Sequence, residues 1–119
     1  MAEGKVAVCT GSGRPGGLGE AILSRLGKEG YRLVVTDVDG SGSVHLAKPD
    51  EMAAVAESLR SQGADVLSHA CDVRSPESVE QLFNVVMGRC GRVDVLINNA
   101  GIGFVMKDTR EVSPDEWNL

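Results

Sequence analysis

Thr10 to Ile22, TGSGRPGGLGEAI, sets five glycines and one proline in thirteen residues and then turns apolar. The chemistry open to such a stretch is that of the backbone. A helix begins with N–H groups that have no partner inside the helix and with the positive end of its dipole, so it draws an anion wherever no side chain blocks the approach. Glycine removes the block. In a strand-turn-helix unit that holds a diphosphate, the first glycine permits the tight turn, the second lets the phosphates come close, and the third lets the helix close on the sheet. Gly11, Gly17 and Gly19 stand in those places, and Leu18 lies in the same cluster of amides.

An acidic partner completes the pattern. Asp37 ends the run RLVVTD, eighteen residues after Gly19, where a carboxylate accepts both hydroxyls of an adenosine ribose and repels a 2′-phosphate. The ligand expected is a dinucleotide, NAD in preference to NADP. A P-loop, the rival phosphate cradle, needs Lys and then Ser or Thr after its last glycine, and here Glu20 and Ala21 follow. A plain strand-to-helix turn is the bland alternative, and Asp37 with the flanking elements argues against it. The other reactive side chains form no constellation. Cys9, Cys71 and Cys90 are far apart with no CxxC spacing, and His45 and His69 are isolated, so neither a disulfide framework nor a metal site is expected. The thiols are expected to be buried small hydrophobes.

These groups need a scaffold, and the apolar pattern supplies one. KVAVCT (5–10) and RLVVTD (32–37) are short β-branched runs that read as buried parallel strands. Between them Leu18, Ile22 and Leu26 fall at steps of four, and Gly30 ends that helix. In DEMAAVAESLRSQG, Met52, Val55, Ala56 and Leu59 share one helical face, and the strand DVLSHA (65–70) follows. Ser75 and Pro76 read as N-cap and first residue of a helix carrying Val79, Leu82, Phe83, Val86, Met87 and Cys90, before a fourth strand, RVDVLIN. SPDEW offers a capping box from Ser113 and Glu116. Four strands alternating with helices specify an α/β fold, a Rossmann-like doubly wound parallel sheet in the order 3-2-1-4. The Gly- and Ser-rich stretch 38–50 is expected to be a mobile surface loop.

Composition bounds the rest. With 119 residues, 42% apolar and 24% charged, one domain spanning 1–119 is expected. The formal charge of −5 and the absence of a basic run argue against nucleic acid and anionic membrane as partners. The N-terminal apolar run is too short for a secretory or membrane segment, so a cytoplasmic protein is expected.

TGSGRPGGLG, CDV and NNAG, in that order, resemble the N-terminal, cofactor-binding half of a short-chain dehydrogenase/reductase, over essentially the whole chain. The family's motif has three residues between its first two glycines, whereas five, Ser12 to Gly16, separate Gly11 from Gly17. Two registers are possible, one starting at Thr10 and Gly11, the other at Ser12 and Gly13. The first is preferred because it keeps KVAVCTG aligned with the family's strand. The resemblance places Arg14 in the resulting bulge, either as a phosphate or 2′-phosphate ligand or as a solvated loop arginine. It assigns Asp72 and Val73 to the adenine, and Asn99, Ala100 and Gly101 to the edge beside the adenosine ribose, with the asparagine amides tying strand ends together. Val38, not arginine, follows Asp37, which keeps NAD favoured.

The resemblance also implies residues that have no match here. The family's hydride transfer uses a serine, a tyrosine and a lysine four residues after it, plus an asparagine in the fourth helix. The only tyrosine, Tyr31, is followed four residues later by Val35, and Asn118 stands too close to Trp117 to take the asparagine's role. No catalytic residue is therefore assigned. The expectation is a truncated or split cofactor-binding portion of an alcohol/carbonyl oxidoreductase, inactive alone. The fourth strand, apolar and without the charges that blunt an edge, should invite pairing, through a homo-oligomer or a completing partner chain. The alternative function is a non-catalytic dinucleotide-binding or interaction subunit that pairs through that strand.

Overall fold

A computed structural model describes residues 4–38, 48–101 and 108–117. Within them β1 (Val6–Cys9), α1 (Leu18–Lys28), β2 (Arg32–Asp37), α2 (Pro49–Ser61), β3 (Val66–Ala70), α3 (Pro76–Cys90) and β4 (Val95–Ile97) alternate, followed by a single 3-10 turn at Thr109–Glu111 and the short α4 (Pro114–Trp117). The strands form one parallel sheet in the order β3-β2-β1-β4, the order the sequence pattern predicts. Most of the Gly- and Ser-rich stretch, with His45 and Asn118, lies outside the described residues.

β1 and β2 are covered on both faces, which is why they read as continuous apolar runs. On one face Ala7, Cys9, Leu33 and Val35 meet Leu23 of α1 and Met52, Val55, Ala56 and Leu59 of α2. On the other, Val6, Val8 and Val34 meet Leu82 and Val86 of α3. Cys9 and Cys71 are buried and Cys90 partly so, all three as free thiols.

The stripe predicted for α1 is displaced. Leu18 is 69% exposed, and the residues buried in the helix are Gly19 and Leu23. Leu26 packs at the edge of the core, and a Cβ on Gly27 would lie 3.0 Å from the Leu33 side chain. The helix thus faces the sheet through 19, 23, 26 and 27. Two glycines let its backbone approach, and that closeness, rather than the three large apolar residues, decides which face turns inward.

β4 is shorter than the run RVDVLIN. Its start is set by Asp94, whose N–H donates to the Val6 carbonyl (2.9 Å) while its carboxylate accepts the Val6 N–H (2.8 Å). Arg92 pairs with the same carboxylate and holds it below the usual carboxylate range. The predicted caps of the later helices form as expected. The Ser75 hydroxyl accepts the Ser78 N–H, and Ser113 and Glu116 exchange side-chain and backbone hydrogen bonds.

Candidate functional site

All the singled-out motifs lie at the carboxyl edge of the sheet, where open α/β sheets bind ligands. β1 runs into Thr10, whose hydroxyl accepts the N–H groups of Asn99 and Ala100, each at 3.1 Å, and donates to the Ile97 carbonyl at 3.4 Å. The Asn99 amide returns the link by donating to the carbonyls of Thr10 and Gly11, both at 3.1 Å. The glycine loop and NNAG are therefore one hydrogen-bonded unit, with Ala100 and Gly101 exposed at its rim.

Gly11 has a φ of +66°, and a Cβ there would lie 2.7 Å from the Ala100 Cα. The left-handed turn that leaves the strand is thus made at Gly11, in the preferred register, since Gly13 is not among the residues of positive φ. Ser12 then re-enters the sheet. Its N–H donates to the Thr36 carbonyl (3.0 Å), its hydroxyl accepts the Thr36 N–H (3.1 Å), and it donates to the Cys9 carbonyl (2.7 Å). Ser12 is buried at 1% exposure, and its hydroxyl ties the loop to β1 and β2, whereas the Thr10 hydroxyl ties it to NNAG.

The extra residues form a turn. The Gly17 N–H donates to the Arg14 carbonyl at 3.1 Å, which puts Pro15 and Gly16 at the centre, and Gly16 has a φ of +77°. Proline followed by a left-handed glycine is the pattern of a type II turn. The insertion projects outward with Arg14 exposed on it. Gly17 is the N-cap of α1 and supplies no side-chain cap. The Glu20 carboxylate in the first turn accepts the Gly16 N–H at 2.9 Å. Gly19 closes the helix on the loop, since a Cβ there would lie 2.8 Å from the Ser12 Cα and 3.0 Å from the Asn99 amide nitrogen.

Asp37 stands next to this loop. Its two carboxylate oxygens accept the N–H groups of Gly13 (2.9 Å) and Val38 (2.8 Å). The burial of Cys9 and, as the smaller cause, the Asp37 charge push the Cys9 thiol up to about 11, so Cys9 is a neutral thiol at neutral pH. The Asp37 carbonyl accepts the Cys71 N–H at 2.8 Å, which carries the chain to Asp72 and Val73. Arg74 grips the Asp72 carboxylate through two guanidinium nitrogens and the backbone N–H. These bonds hold the Asp72 carboxyl below its usual range. Val73 is 48% exposed.

The eleven residues expected at the site thus line one rim, while Tyr31, at the start of β2, packs against the core at the opposite end. Among the described residues no cluster could hold a metal ion, and no helix is long and apolar enough to cross a membrane. Ser12 and Gly13, which the sequence offers only as the opening of a second register, have a different part that sequence reasoning missed. Their work is done by contacts with β2, and spacing carries no signal of it.

A family model for short chain dehydrogenases matches residues 5–119. The chain is 38% identical over 96 residues to a 1-deoxy-11-beta-hydroxypentalenate dehydrogenase of Streptomyces avermitilis, covering 81% of this chain and 32% of that protein. It is 34% identical to a versicolorin reductase of Emericella nidulans over 98% of this chain and 40% of that one. A metagenomic short-chain oxidoreductase solved with NADP superimposes with a TM-score of 0.75 at 34% identity, over 98% of this chain and 47% of that chain. Carveol dehydrogenase from Mycobacterium avium, solved with NAD, shares the fold at a TM-score of 0.84 and 24% identity, over 97% of this chain and 42% of its own. The chain spans about a third to two fifths of the length of these curated relatives.

Proposed function

Since this chain belongs to the short-chain dehydrogenase family, we propose that its sheet edge holds NAD(H) for an oxidoreductase that interconverts an alcohol and a carbonyl. Bound there, the nicotinamide dinucleotide supplies the hydride acceptor or donor. The residues of this chain bind and orient it. Leu18, Gly19 and Glu20 open α1 behind a glycine N-cap, leaving the positive helix end to the diphosphate. Gly11 and Gly17 keep the approach bare, with Arg14 at its outer side. Asp37 takes the ribose hydroxyls, Asp72 and Val73 the adenine, and Asn99, Ala100 and Gly101 the floor beneath the adenosine.

The single observation that carries this reading is the start of α1 without a side-chain cap, at the end of a glycine loop whose Gly13 N–H donates to Asp37 and whose Gly11 carbonyl accepts from the Asn99 amide. Among the solved structures it resembles, one carries NAD and three carry NADP, NADPH or 5-hydroxy-NADP. The preference for NAD rests on Asp37 being followed by Val38. None of the 119 residues matches the family's tyrosine–lysine pair, so the part proposed for these residues is to bind and orient the dinucleotide. Calorimetric titration with NADH and NADPH tests the proposal. Tighter binding of NADH is expected; binding of neither overturns the reading, and a preference for NADPH overturns the role of Asp37.

A second reading is favoured by one observation. β4 pairs with β1 alone among the described strands, and Leu96 on it is 46% exposed. An interaction subunit that pairs through this edge, with a second copy or a completing chain, would scatter light as a defined oligomer. A monomer at high concentration rules that out.

A further inference from the structure

We propose that Gly13, a residue outside the family's three-glycine pattern, determines cofactor selectivity by locking the Asp37 carboxylate in place. The inference rests on the dinucleotide reading above and deepens it. Gly13 is buried where three elements meet. A Cβ on it would lie 2.7 Å from the Asp37 Cβ at the end of β2 and 3.2 Å from both the Asp37 Oδ2 and the Met52 Cβ in the first turn of α2. Its N–H donates to Oδ2 at 2.9 Å, while the Val38 N–H holds Oδ1 at 2.8 Å.

A carboxylate has about four lone-pair positions, so two donors leave it able to accept two ribose hydroxyls. A 2′-phosphate brings only further acceptors and negative charge. An unrestrained aspartate escapes that repulsion by rotating about χ1 into solvent, and selectivity is then lost. Here one amide on each oxygen opposes the rotation, and the glycine that supplies one of them is also what lets loop, strand and α2 approach so closely. The discrimination against a 2′-phosphate therefore comes from the restraint as well as from the charge. Gly13 is a positioning residue that acts through Asp37.

The test is a double-mutant cycle on the full chain, read as the ratio of NADPH to NADH dissociation constants. Gly13→Ala should displace the Asp37 side chain and shrink the ratio by about tenfold or more, NADH binding less tightly as the ribose hydroxyls lose their acceptor and NADPH more tightly as the repulsion is relieved. In an Asp37→Ala background the same substitution should leave the ratio unchanged. Equal weakening of both dinucleotides in both backgrounds, the mark of a merely structural glycine, overturns the inference while leaving the dinucleotide reading intact. A wild-type chain that binds neither overturns both. Should Gly13→Ala not fold, the lock is read directly from the wild-type amide spectrum. The Gly13 N–H, which donates to the carboxylate, should change its chemical shift in Asp37→Asn. A Gly13 amide insensitive to that substitution contradicts the proposal.

Discussion

α1 and α3 both start from the carboxyl edge of the sheet, and they start differently. α3 is closed by its own sequence, with the Ser75 hydroxyl accepting the Ser78 N–H and Pro76 in the first turn. α1 has a glycine N-cap with no side-chain acceptor, and the Glu20 carboxylate in its first turn accepts the Gly16 N–H of the preceding turn. A serine cap is worth about 1 kcal/mol to a helix. The diphosphate site proposed here falls at the helix end that forgoes such a cap, and this contrast supports the proposal more directly than glycine content does.

The contrast can be broken most severely at the turn that delivers the chain to α1. Gly11→Ala places a Cβ in a left-handed conformation 2.7 Å from the Ala100 backbone. A loss of about 2–4 kcal/mol in unfolding free energy is expected, with NADH binding abolished, and denaturant melts with titration check both. A gentler change makes α1 resemble α3. Gly17→Ser adds the missing cap in a tight space, where the new Cβ lies 3.1 Å from the Arg14 carbonyl. Stability should hold within about 1 kcal/mol while NADH binding weakens about tenfold, because a hydroxyl now competes for the helix amides. Retained affinity would show that those amides do not hold phosphate.

Removing the cap of α3 sharpens the comparison from the other side. Ser75→Ala should destabilise the chain by about 1 kcal/mol in urea melts and leave the NADH dissociation constant unchanged. The smallest effect concerns pH. The Arg74 hydrogen bonds lower the pKa of Asp72, so the ionised carboxylate, present above its unfolded value, is lost only as pH falls through the lower folded one. Arg74→Ala should therefore match wild type in NADH affinity at pH 7 and fall behind it a few-fold as pH drops through the ordinary carboxylate range near 4. Parallel pH profiles would mean that Asp72 does not meet the adenine.

Much of this arrangement was legible before any coordinates. Short β-branched runs and helical apolar spacing mark four strands and their helices, Ser75–Pro76 and Ser113–Glu116 announce two of the caps, and the distance from Gly19 to Asp37 points to the rim proposed as the site. The misplaced stripe of α1 and the overlong fourth strand show where pattern reading stops. Leu18 looks like core because it is apolar, yet the face of the helix is chosen by how near Gly19 and Gly27 let the backbone come. β4 begins where Asp94 clamps Val6, a contact across 88 positions.

Local chemistry, written in consecutive residues, determined the element order, the parallel sheet and the bare backbone before α1, because steric freedom, capping and apolar period depend on neighbours a few positions apart. Tertiary structure alone decided that Ser12 closes the β1–β2 ladder, that Pro15–Gly16 turns outward, and that the Gly13 amide meets Asp37. Each of these depends on distances between groups some two dozen residues apart or on the space left between packed elements, and no one-dimensional pattern carries that information.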